Sequence, residues 1–177
     1  MHLKMADVTL LGMAIDKNAQ IASKSVVKAN PHERVGVFCK KDSKPAVIEY
    51  TEIPEEMAEE TDEDGELLFG ESHIMCNLYS ISAIEKIANQ KLPYHTAHKK
   101  AAYINENGEL IKPEKPNAYK YEAFIFDGFR YFDEISILRG RREEDFAPIK
   151  NAEGVDSPES ATKLYNDYWE KNANGRM

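Results

Sequence analysis

Lys150 lies near the end of a stretch whose residue types could bind a phosphate group. The stretch covers residues 142–151, REEDFAPIKN, and follows an apolar, strand-like run at 135–138. Pro148 fixes its own φ angle and pushes the preceding residue towards extended geometry, so we expect Lys150 on a stiff support. A lysine ammonium binds phosphate as a compact point charge. The alternative is that Lys150 is a solvated loop charge near three acidic residues.

A glycine and a glutamate occupy unusual positions in a predicted β-hairpin. Residues 35–39 form its first strand, residues 42–45 its turn and residues 46–50 its return strand. Gly36 weakens its strand unless another group must approach the backbone closely. Glu49 interrupts an otherwise apolar strand, and from the local pattern alone it is an outward-facing carboxylate on a half-exposed sheet.

Aromatic residues are concentrated at 121–132, just after Lys120. If this segment is helical, three apolar residues share one face and belong to the core, namely Ile125, Phe129 and Phe132. Phe124 and Phe126 then flank that face on opposite sides. If the helix begins only after them, they share one face at strand spacing and could line one pocket.

Two pairs of metal-ligating residue types occur with the same spacing. His73 and Cys76 are separated by two residues, and so are His95 and His98. These side chains are suitable zinc ligands. However, the first pair lies in an apolar run rather than in a tight ligand-bearing turn. Buried or hydrogen-bonding histidines are therefore the favoured interpretation, and no metal ligand is predicted in this chain.

Composition excludes several broad classes of function. The 177 residues are enough for one domain, with 42% hydrophobic and 31% charged residues. The formal net charge of -8 argues against a broad nucleic-acid-binding face. No apolar run is long enough to span a bilayer, and residues 1–4 lack a signal-peptide core. Cys39 and Cys76 carry no disulfide signature, which favours a reducing, cytoplasmic location.

The remaining elements are predicted from their boundary residues. Asp7 caps a helix over 8–15, a short strand covers 25–29, and Ser82 opens a helix through a capping box. The dipeptide Asn107-Gly108 predicts a type I′ hairpin turn.

The last predicted helix begins with Ser157 as its cap and Pro158 at its first position. Hairpins and strand–helix units together predict an α/β domain, or part of one.

Several segments together resemble a known family. The matching stretches are residues 28–37 (KANPHERVGV), 47–53 (VIEYTEI), 95–100 (HTAHKK), 110–127 (LIKPEKPNAYKYEAFIFD) and 142–152 (REEDFAPIKNA). In this order they resemble the UDP-N-acetylhexosamine pyrophosphorylases, within the wider UDP-sugar pyrophosphorylase family. The resemblance implies a partial Rossmann-like nucleotidyltransferase core with a mixed sheet. Residues 1–177 would form the C-terminal part of that catalytic domain, without its upstream nucleotide-binding half.

The resemblance also implies a reaction. The family transfers a uridylyl group between UTP and an N-acetylhexosamine 1-phosphate, giving UDP-N-acetylhexosamine and pyrophosphate with the help of Mg2+. This chain would supply mainly the sugar-phosphate side and would be inactive alone. The alternatives are a UDP-glucose or broad UDP-sugar pyrophosphorylase, and a non-catalytic module that binds a sugar nucleotide or a protein. The oligomeric state is not specified.

The family's site residues can be carried over where the motifs match. Lys150 matches a lysine on the phosphates and is the expected catalytic residue. The expected substrate-binding residues are Gly36, Glu49, His73, Lys120, Phe124 and Phe126. Of these, the aromatic pair is expected near the N-acetyl group. His73 replaces the sugar-binding asparagine of the family's N-x-x-N-H motif, since this chain reads HIMCN at 73–77.

Overall fold

A five-stranded mixed sheet forms the centre of the computed structural model, which describes residues 7–173. The described strands are β1 (Ile21–Val27), β2 (Val37–Lys41), β3 (Lys44–Ile48), β4 (Glu71–Tyr79), β5 (His95–Lys99), β6 (Tyr103–Ile104), β7 (Leu110–Ile111), β8 (Ala118–Glu122) and β9 (Ser136–Arg139). The described α-helices are α1 (Val8–Asp16), α2 (Glu55–Glu59), α3 (Ile81–Ala88), α4 (Arg142–Asp145) and α5 (Pro158–Ala173). A 3₁₀ helix covers Ile125–Tyr131.

The sheet has the strand order β3-β2-β4-β1-β9. Strand β1 is antiparallel to β4 and parallel to β9, so the sheet is mixed. Two smaller two-stranded sheets pair β5 with β8 and β6 with β7. The predicted α/β fold, with a mixed sheet, hairpins and flanking helices, is therefore confirmed.

Strand β1 lies inside the sheet, between β4 and β9, and its first six residues are buried. The sequence prediction placed this strand at 25–29, about four residues too late. A strand buried on both faces normally reads as a continuous apolar run. Here Ser23, Lys24 and Ser25 interrupt that run. Ser23 and Lys24 have polar partners, whereas the buried Oγ of Ser25 has no hydrogen-bond partner.

Two layers pack on opposite faces of the sheet, because successive strand residues point to opposite sides. Ile21 joins a core with α3 and the 3₁₀ helix, which also contains Phe38, Ala83, Ile87, Phe126, Phe129 and Phe132. On the other face, Ala22 packs against Leu10 and Ala14 of α1. Val26 on that same face packs with Ile74 and Phe146.

The aromatic segment follows a three-residue period rather than the α-helical one. Ile125 was predicted in the core but is 38% exposed, whereas Phe126 is only 2% exposed. A 3₁₀ helix places residues i and i+3 on the same face. Phe126, Phe129 and Phe132 therefore form the buried stripe, and the prediction for Ile125 was wrong.

Two helix starts follow from serine caps. The Oγ atom of Ser157 accepts a hydrogen bond from the backbone N–H of Ser160 at 3.3 Å, which confirms the predicted cap of α5. Helix α3 instead begins after Ser80, whose Oγ accepts from the N–H of Ala83 at 3.1 Å. The predicted capping box at Ser82 was therefore two residues late. The end of β4 at Tyr79 places the earlier serine at the cap.

The type I′ turn occurs in a different hairpin from the one predicted. Asp42 and Ser43, between β2 and β3, have φ angles of 52° and 63°. A type I′ turn requires positive φ at both central residues. In the β6–β7 hairpin Gly108 has a φ of 83°, but Asn107 does not have a positive φ. The side chain of Asn105 instead accepts from the N–H groups of Asn107 and Glu109, which stabilises a longer loop.

The first helix matches its prediction. Asp7 Oδ1 accepts from the N–H of Thr9 at 2.8 Å and caps α1. Within residues 7–173, no helix has the length and apolar character needed to cross a membrane.

Candidate functional site

Gly36 and Glu49 lie against each other at one end of the β2–β3 hairpin. Gly36 directly precedes β2, and Glu49 directly follows β3. A Cβ atom added at Gly36 would lie 2.8 Å from Glu49 Oε1. Glycine therefore leaves the space that the glutamate carboxylate occupies. Burial, followed by the nearby Glu52, raises the pKa of Glu49 above its ordinary value.

His73 lies next to this pair but is buried. Its backbone N–H donates to the carbonyl oxygen of Gly36 at 2.8 Å. The side chain is 4% exposed, and burial lowers its pKa to about 4. His73 is therefore a neutral imidazole at physiological pH. Its Nε2 lies 3.1 Å from Asn77 Oδ1.

A bulge in β4 brings His73 and Asn77 together. In a regular strand, residues four apart are separated by about 13 Å. Here Ser23 pairs with Asn77 and Ser25 pairs with His73, so three residues of β4 lie opposite Lys24 alone. Met75 at the bulge has a φ of 59°, which is in the left-handed region. The segment HIMCN at 73–77, which differs from the family's asparagine motif, therefore also contains the bulge of β4.

The aromatic pair completes the cluster. The rings of Phe124 and Phe126 stack with centroids 4.8 Å apart and an interplanar angle of 11°. The ring of His73 meets Phe126 edge-on at 4.9 Å. The 3₁₀ helix begins at Ile125, between the two residues, so the pair does not share a face at strand spacing as one alternative expected, although its rings stack. We call Gly36, Glu49, His73, Phe124 and Phe126 the predicted sugar-binding cluster.

Lys150 lies beside the loop that leads to this cluster. Its Nζ donates to the carbonyl oxygen of Arg34 at 2.6 Å, two residues before Gly36. Its backbone N–H donates to the carbonyl oxygen of Asp156 at 2.7 Å. Pro148 is buried while Lys150 is exposed, so the ammonium group extends from a packed segment into solvent.

Lys120 and Lys150 lie in different segments of the fold. It lies on β8, in the two-stranded sheet with β5. Its Nζ forms an ion pair with Glu122 at 2.7 Å, and the side chain is 56% exposed. Its predicted role as a substrate-binding residue therefore remains a prediction.

The four residues weighed as zinc ligands have other neighbours. His73 contacts Asn77, His95 contacts Glu52 and Asp127, and the ring of His98 stacks on Tyr119 at 4.4 Å. Cys76, like Cys39, is a free thiol.

Among residues 7–173, one group of three side chains has metal-ligating atoms within 4.8 Å of one another. These are His32, Glu55 and Glu59, and all are exposed. Magnesium prefers octahedral oxygen coordination and usually binds substrate phosphates as well. The group contains an imidazole and none of the predicted phosphate or sugar residues. The described residues therefore do not fit a magnesium site beside Lys150.

Two features of the site were not foreseen from the sequence. Lys24 is buried between Asp7, at 2.6 Å, and Asp145, and we call these residues the Lys24 ion triad. His95 bridges Glu52 and Asp127, and the sequence favours a buried or hydrogen-bonding histidine here without indicating its partners. No local pattern marks either feature, because the partners are distant in sequence and meet only in the fold.

Comparisons with known proteins identify the family of this chain. The model of the UTP–glucose-1-phosphate uridylyltransferase family matches residues 3–166. The UDP-N-acetylglucosamine pyrophosphorylase of Saccharomyces cerevisiae is 38% identical over 170 residues, which cover 92% of this chain and 36% of the yeast protein. The human UDP-N-acetylhexosamine pyrophosphorylase-like protein 1 is 38% identical and covers 90% of this chain, which spans 32% of the human protein.

Solved structures give the same result. The crystal structure of the uridine diphosphate N-acetylglucosamine pyrophosphorylase from Trypanosoma brucei, in complex with inhibitor, matches with a TM-score of 0.72 and 35% identity. That match covers 90% of this chain and 32% of the T. brucei chain. A UDP-glucose pyrophosphorylase mutant from Leishmania major shares the fold with a TM-score of 0.59, at 12% identity. The chain spans about a third of the length of these relatives, and it belongs to the UTP–glucose-1-phosphate uridylyltransferase family.

Proposed function

We propose that this chain forms the sugar-phosphate-binding part of a UDP-N-acetylhexosamine pyrophosphorylase. In this proposal the complete fold transfers a uridylyl group between UTP and an N-acetylhexosamine 1-phosphate and releases pyrophosphate. Residues 1–177 correspond to the C-terminal part of the catalytic domain. The observation that carries the proposal is the contiguity of the predicted sugar-binding cluster, with Lys150 bound to the adjacent loop at Arg34.

The chemistry assigns a separate role to each part of the cluster. Uridylyl transfer is a displacement at phosphorus, so catalysis depends on positioning and on neutralising charge. Lys150 supplies an exposed ammonium for the phosphate oxygens. Glu49 accepts hydrogen bonds from sugar hydroxyls, in the space that Gly36 leaves by having no side chain. The half-buried ring of Phe124, backed by the buried ring of Phe126, offers apolar contact to an N-acetyl methyl group.

His73 has an indirect role in this proposal. The ring of His73 packs edge-on against the ring of Phe126. Because His73 is buried, its role is packing rather than direct contact with a ligand. We propose that Mg2+ assists the complete fold by neutralising phosphate charge, although its ligands are not found among the described residues of this chain. The free thiols of Cys39 and Cys76 support a cytoplasmic location.

The choice of sugar follows the more similar relatives. Those named for N-acetylglucosamine or N-acetylhexosamine share more than a third of their aligned residues with this chain. The structure named for UDP-glucose shares only the fold. Two stacked aromatic rings also suit an acetamido group better than a small hydroxyl.

The proposal predicts that the 177-residue chain binds N-acetylglucosamine 1-phosphate through the cluster. We expect Lys150→Met to weaken binding roughly 10- to 100-fold, because a hydrogen bond to a charged group is lost. Glu49→Gln should weaken it as well, since the amide accepts fewer hydrogen bonds than a carboxylate. Isothermal titration calorimetry, with NMR shift mapping of the bound residues, measures both effects.

Lys163→Met is the matched control, because Lys163 is exposed on α5 and pairs only with Asp167 nearby on the same helix. It should leave binding unchanged. Equal binding by wild-type protein and Lys150→Met would remove Lys150 from the site. The chain alone should release no pyrophosphate from UTP and the sugar phosphate. Robust turnover would contradict the proposal that this chain carries only the sugar-phosphate part of the site.

A further inference from the structure

His95 lies between two carboxylates that come from different parts of the fold. Its Nδ1 is 3.0 Å from Glu52 Oε1, and its Nε2 is 2.9 Å from Asp127 Oδ2. Glu52 lies in the turn after β3, and Asp127 lies in the 3₁₀ helix. His95 itself lies on β5, so one side chain joins three segments.

The two contacts together require a charged imidazole. An ionised carboxylate only accepts hydrogen bonds, and both ring nitrogens of histidine are donors only in the protonated form. Burial alone lowers the pKa of His95, but hydrogen bonds to Asp127 and Glu52 outweigh it, so the pKa is above its ordinary value. The geometry and the electrostatics therefore agree on an imidazolium.

The bridged segments are the two sides of the predicted sugar-binding cluster. On one side, the backbone N–H groups of Glu52 and Ile53 donate to the carbonyl oxygen of Glu49 at 2.8 and 3.1 Å. The Glu52 turn therefore holds Glu49. On the other side, Asp127 directly follows Phe126, and the His95 ring lies 5.0 Å from the ring of Phe124.

We infer that His95 is a positioning residue, which fixes the separation between Glu49 and the Phe124–Phe126 pair and loosens the Glu52 turn and the 3₁₀ helix when it loses its proton. The assignment of a ligand to this arrangement rests on the proposed function, whereas the bridge itself does not. Among the described residues, His95 forms ion pairs with Glu52 on one side of the cluster and with Asp127 on the other.

Other charged groups face His95 from each neighbouring segment. The turn after β3 contributes Glu49 in addition to Glu52, and β8 contributes Glu122 directly opposite His95. Glu122 is itself paired with Lys120. The 3₁₀ helix adds Arg130, and the β2–β3 hairpin adds Lys41, Asp42 and Lys44, which line a cavity shared with His95.

The direction of the pH effect follows from the raised pKa. The bridge is complete below the ordinary histidine pKa of 6.5 and is lost as the pH rises through the higher pKa of folded His95. Glu122 has a lowered pKa and stays ionised throughout that range. Glu49 also carries a shifted pKa, so a Glu49→Gln variant is needed to assign the pH step to His95.

The test uses amide hydrogen exchange of the ligand-free 177-residue chain, corrected for intrinsic exchange, from pH 6 to pH 9. In wild-type protein, residues 49–53 and 125–131 should lose protection together, with one midpoint that equals the His95 pKa measured by NMR. His95→Gln should exchange about tenfold faster in both segments at pH 6, because charge-assisted hydrogen bonds are lost. Its protection should then show no step between pH 6 and pH 9. Glu49→Gln should retain the step.

His98→Gln is the matched control, since His98 lies on the same strand, is exposed and contacts Tyr119 instead. It should keep the wild-type step. Asp127→Asn should lower the pKa of His95 and move the step to lower pH, which a purely structural role would not produce. Unchanged exchange in β1 and β4 shows that each variant is folded. Wild-type exchange in His95→Gln, or loosening of only one segment, would overturn the inference.

A second measurement separates this inference from the proposed function. UDP-N-acetylglucosamine is titrated into His95→Gln and His98→Gln at pH 6, where the bridge is intact only in the latter. Weaker binding to His95→Gln, by about tenfold, supports both proposals. Equal binding to the two variants overturns the positioning role. No binding to His98→Gln or wild-type protein, with the exchange step present, overturns the proposed function and leaves the bridge established.

Discussion

At the scale of single residues, burial decides the charge states in and around the cluster. His73 is surrounded by the rings of Phe38, Phe126 and Phe129, all edge-on, and is kept neutral. His95 is less enclosed and pairs with two carboxylates, so it is charged. Two histidines of one chain therefore differ in protonation because their neighbours differ, which their sequence contexts do not reveal.

His73 should make the protein sensitive to acid. Its folded-state pKa of about 4 lies below the ordinary 6.5, so the unfolded chain binds a proton first as the pH falls. The free energy of unfolding should therefore decrease by about 3 kcal/mol between pH 6.5 and pH 4 from this group. Urea unfolding across this range measures the loss.

His73→Asn should flatten this pH dependence, because an amide does not titrate and can still bond to Asn77. His98→Asn removes a histidine that is exposed, and it should leave the slope as in wild-type protein. An identical slope in His73→Asn and wild-type protein would contradict the role assigned to His73.

The residue-scale predictions from sequence succeeded where a local anomaly marked the position. A glycine inside a strand and a glutamate in an apolar strand both marked one end of the hairpin, and the two residues lie together there. The burial of His73 carried no such mark, because a polar residue in an apolar run fits either a core or a ligand site. Its location depends on aromatic rings that are distant in sequence.

At the scale of elements, helix type controls which aromatic side chains are buried. The segment Ile125–Tyr131 has the residue content of an amphipathic α-helix, and the periodicity argument assumed 3.6 residues per turn. Only the three-residue turn explains why Phe126 rather than Ile125 enters the core. Sequence patterns do not separate the two helix types over seven residues, so this part of the site could not be predicted.

Truncating Phe126 and truncating Ile125 should therefore lower the free energy of unfolding by very different amounts. Phe126→Ala should lower the free energy of unfolding by about 3–5 kcal/mol, because it leaves a cavity in the core. Ile125→Ala should cost about 1 kcal/mol or less, since the side chain is partly exposed. Chemical denaturation of the two variants measures both. Similar costs would indicate that the segment is α-helical in solution.

At the scale of the whole molecule, the Lys24 ion triad joins α1 and α4, which are distant in sequence, to strand β1. Asp7 caps α1, Lys24 lies in β1, and Asp145 ends α4. Burial alone lowers the pKa of Lys24, but hydrogen bonds from its ammonium to Asp145 and Asp7 outweigh it and raise the pKa overall. Asp145 also begins the packed segment, through Phe146 and Ala147, that leads to Lys150.

Replacing the buried Lys24 should lower the free energy of unfolding. Lys24→Met leaves the buried carboxylate of Asp145 and the partly buried carboxylate of Asp7 without their cation, and we expect the free energy of unfolding to fall by about 3–5 kcal/mol. Adding Asp145→Asn to Lys24→Met should recover part of the loss, because one uncompensated charge is removed. Lys163→Met breaks an exposed i,i+4 pair instead and should cost less than about 1 kcal/mol. Equal losses in Lys24→Met and Lys163→Met, measured by urea unfolding, would show that the triad does not stabilise the fold.

The Lys24 ion triad also constrains the order of events during protein synthesis. Lys24 and Asp145 are 121 residues apart in sequence. At typical rates of 5–20 residues per second, a ribosome needs roughly 6–24 seconds to add that length of chain. During this interval strand β1 lacks both its parallel neighbour β9 and one of the two carboxylates that neutralise its buried lysine. The β9 edge of the sheet is therefore completed late in translation, after the antiparallel strands have had time to pair.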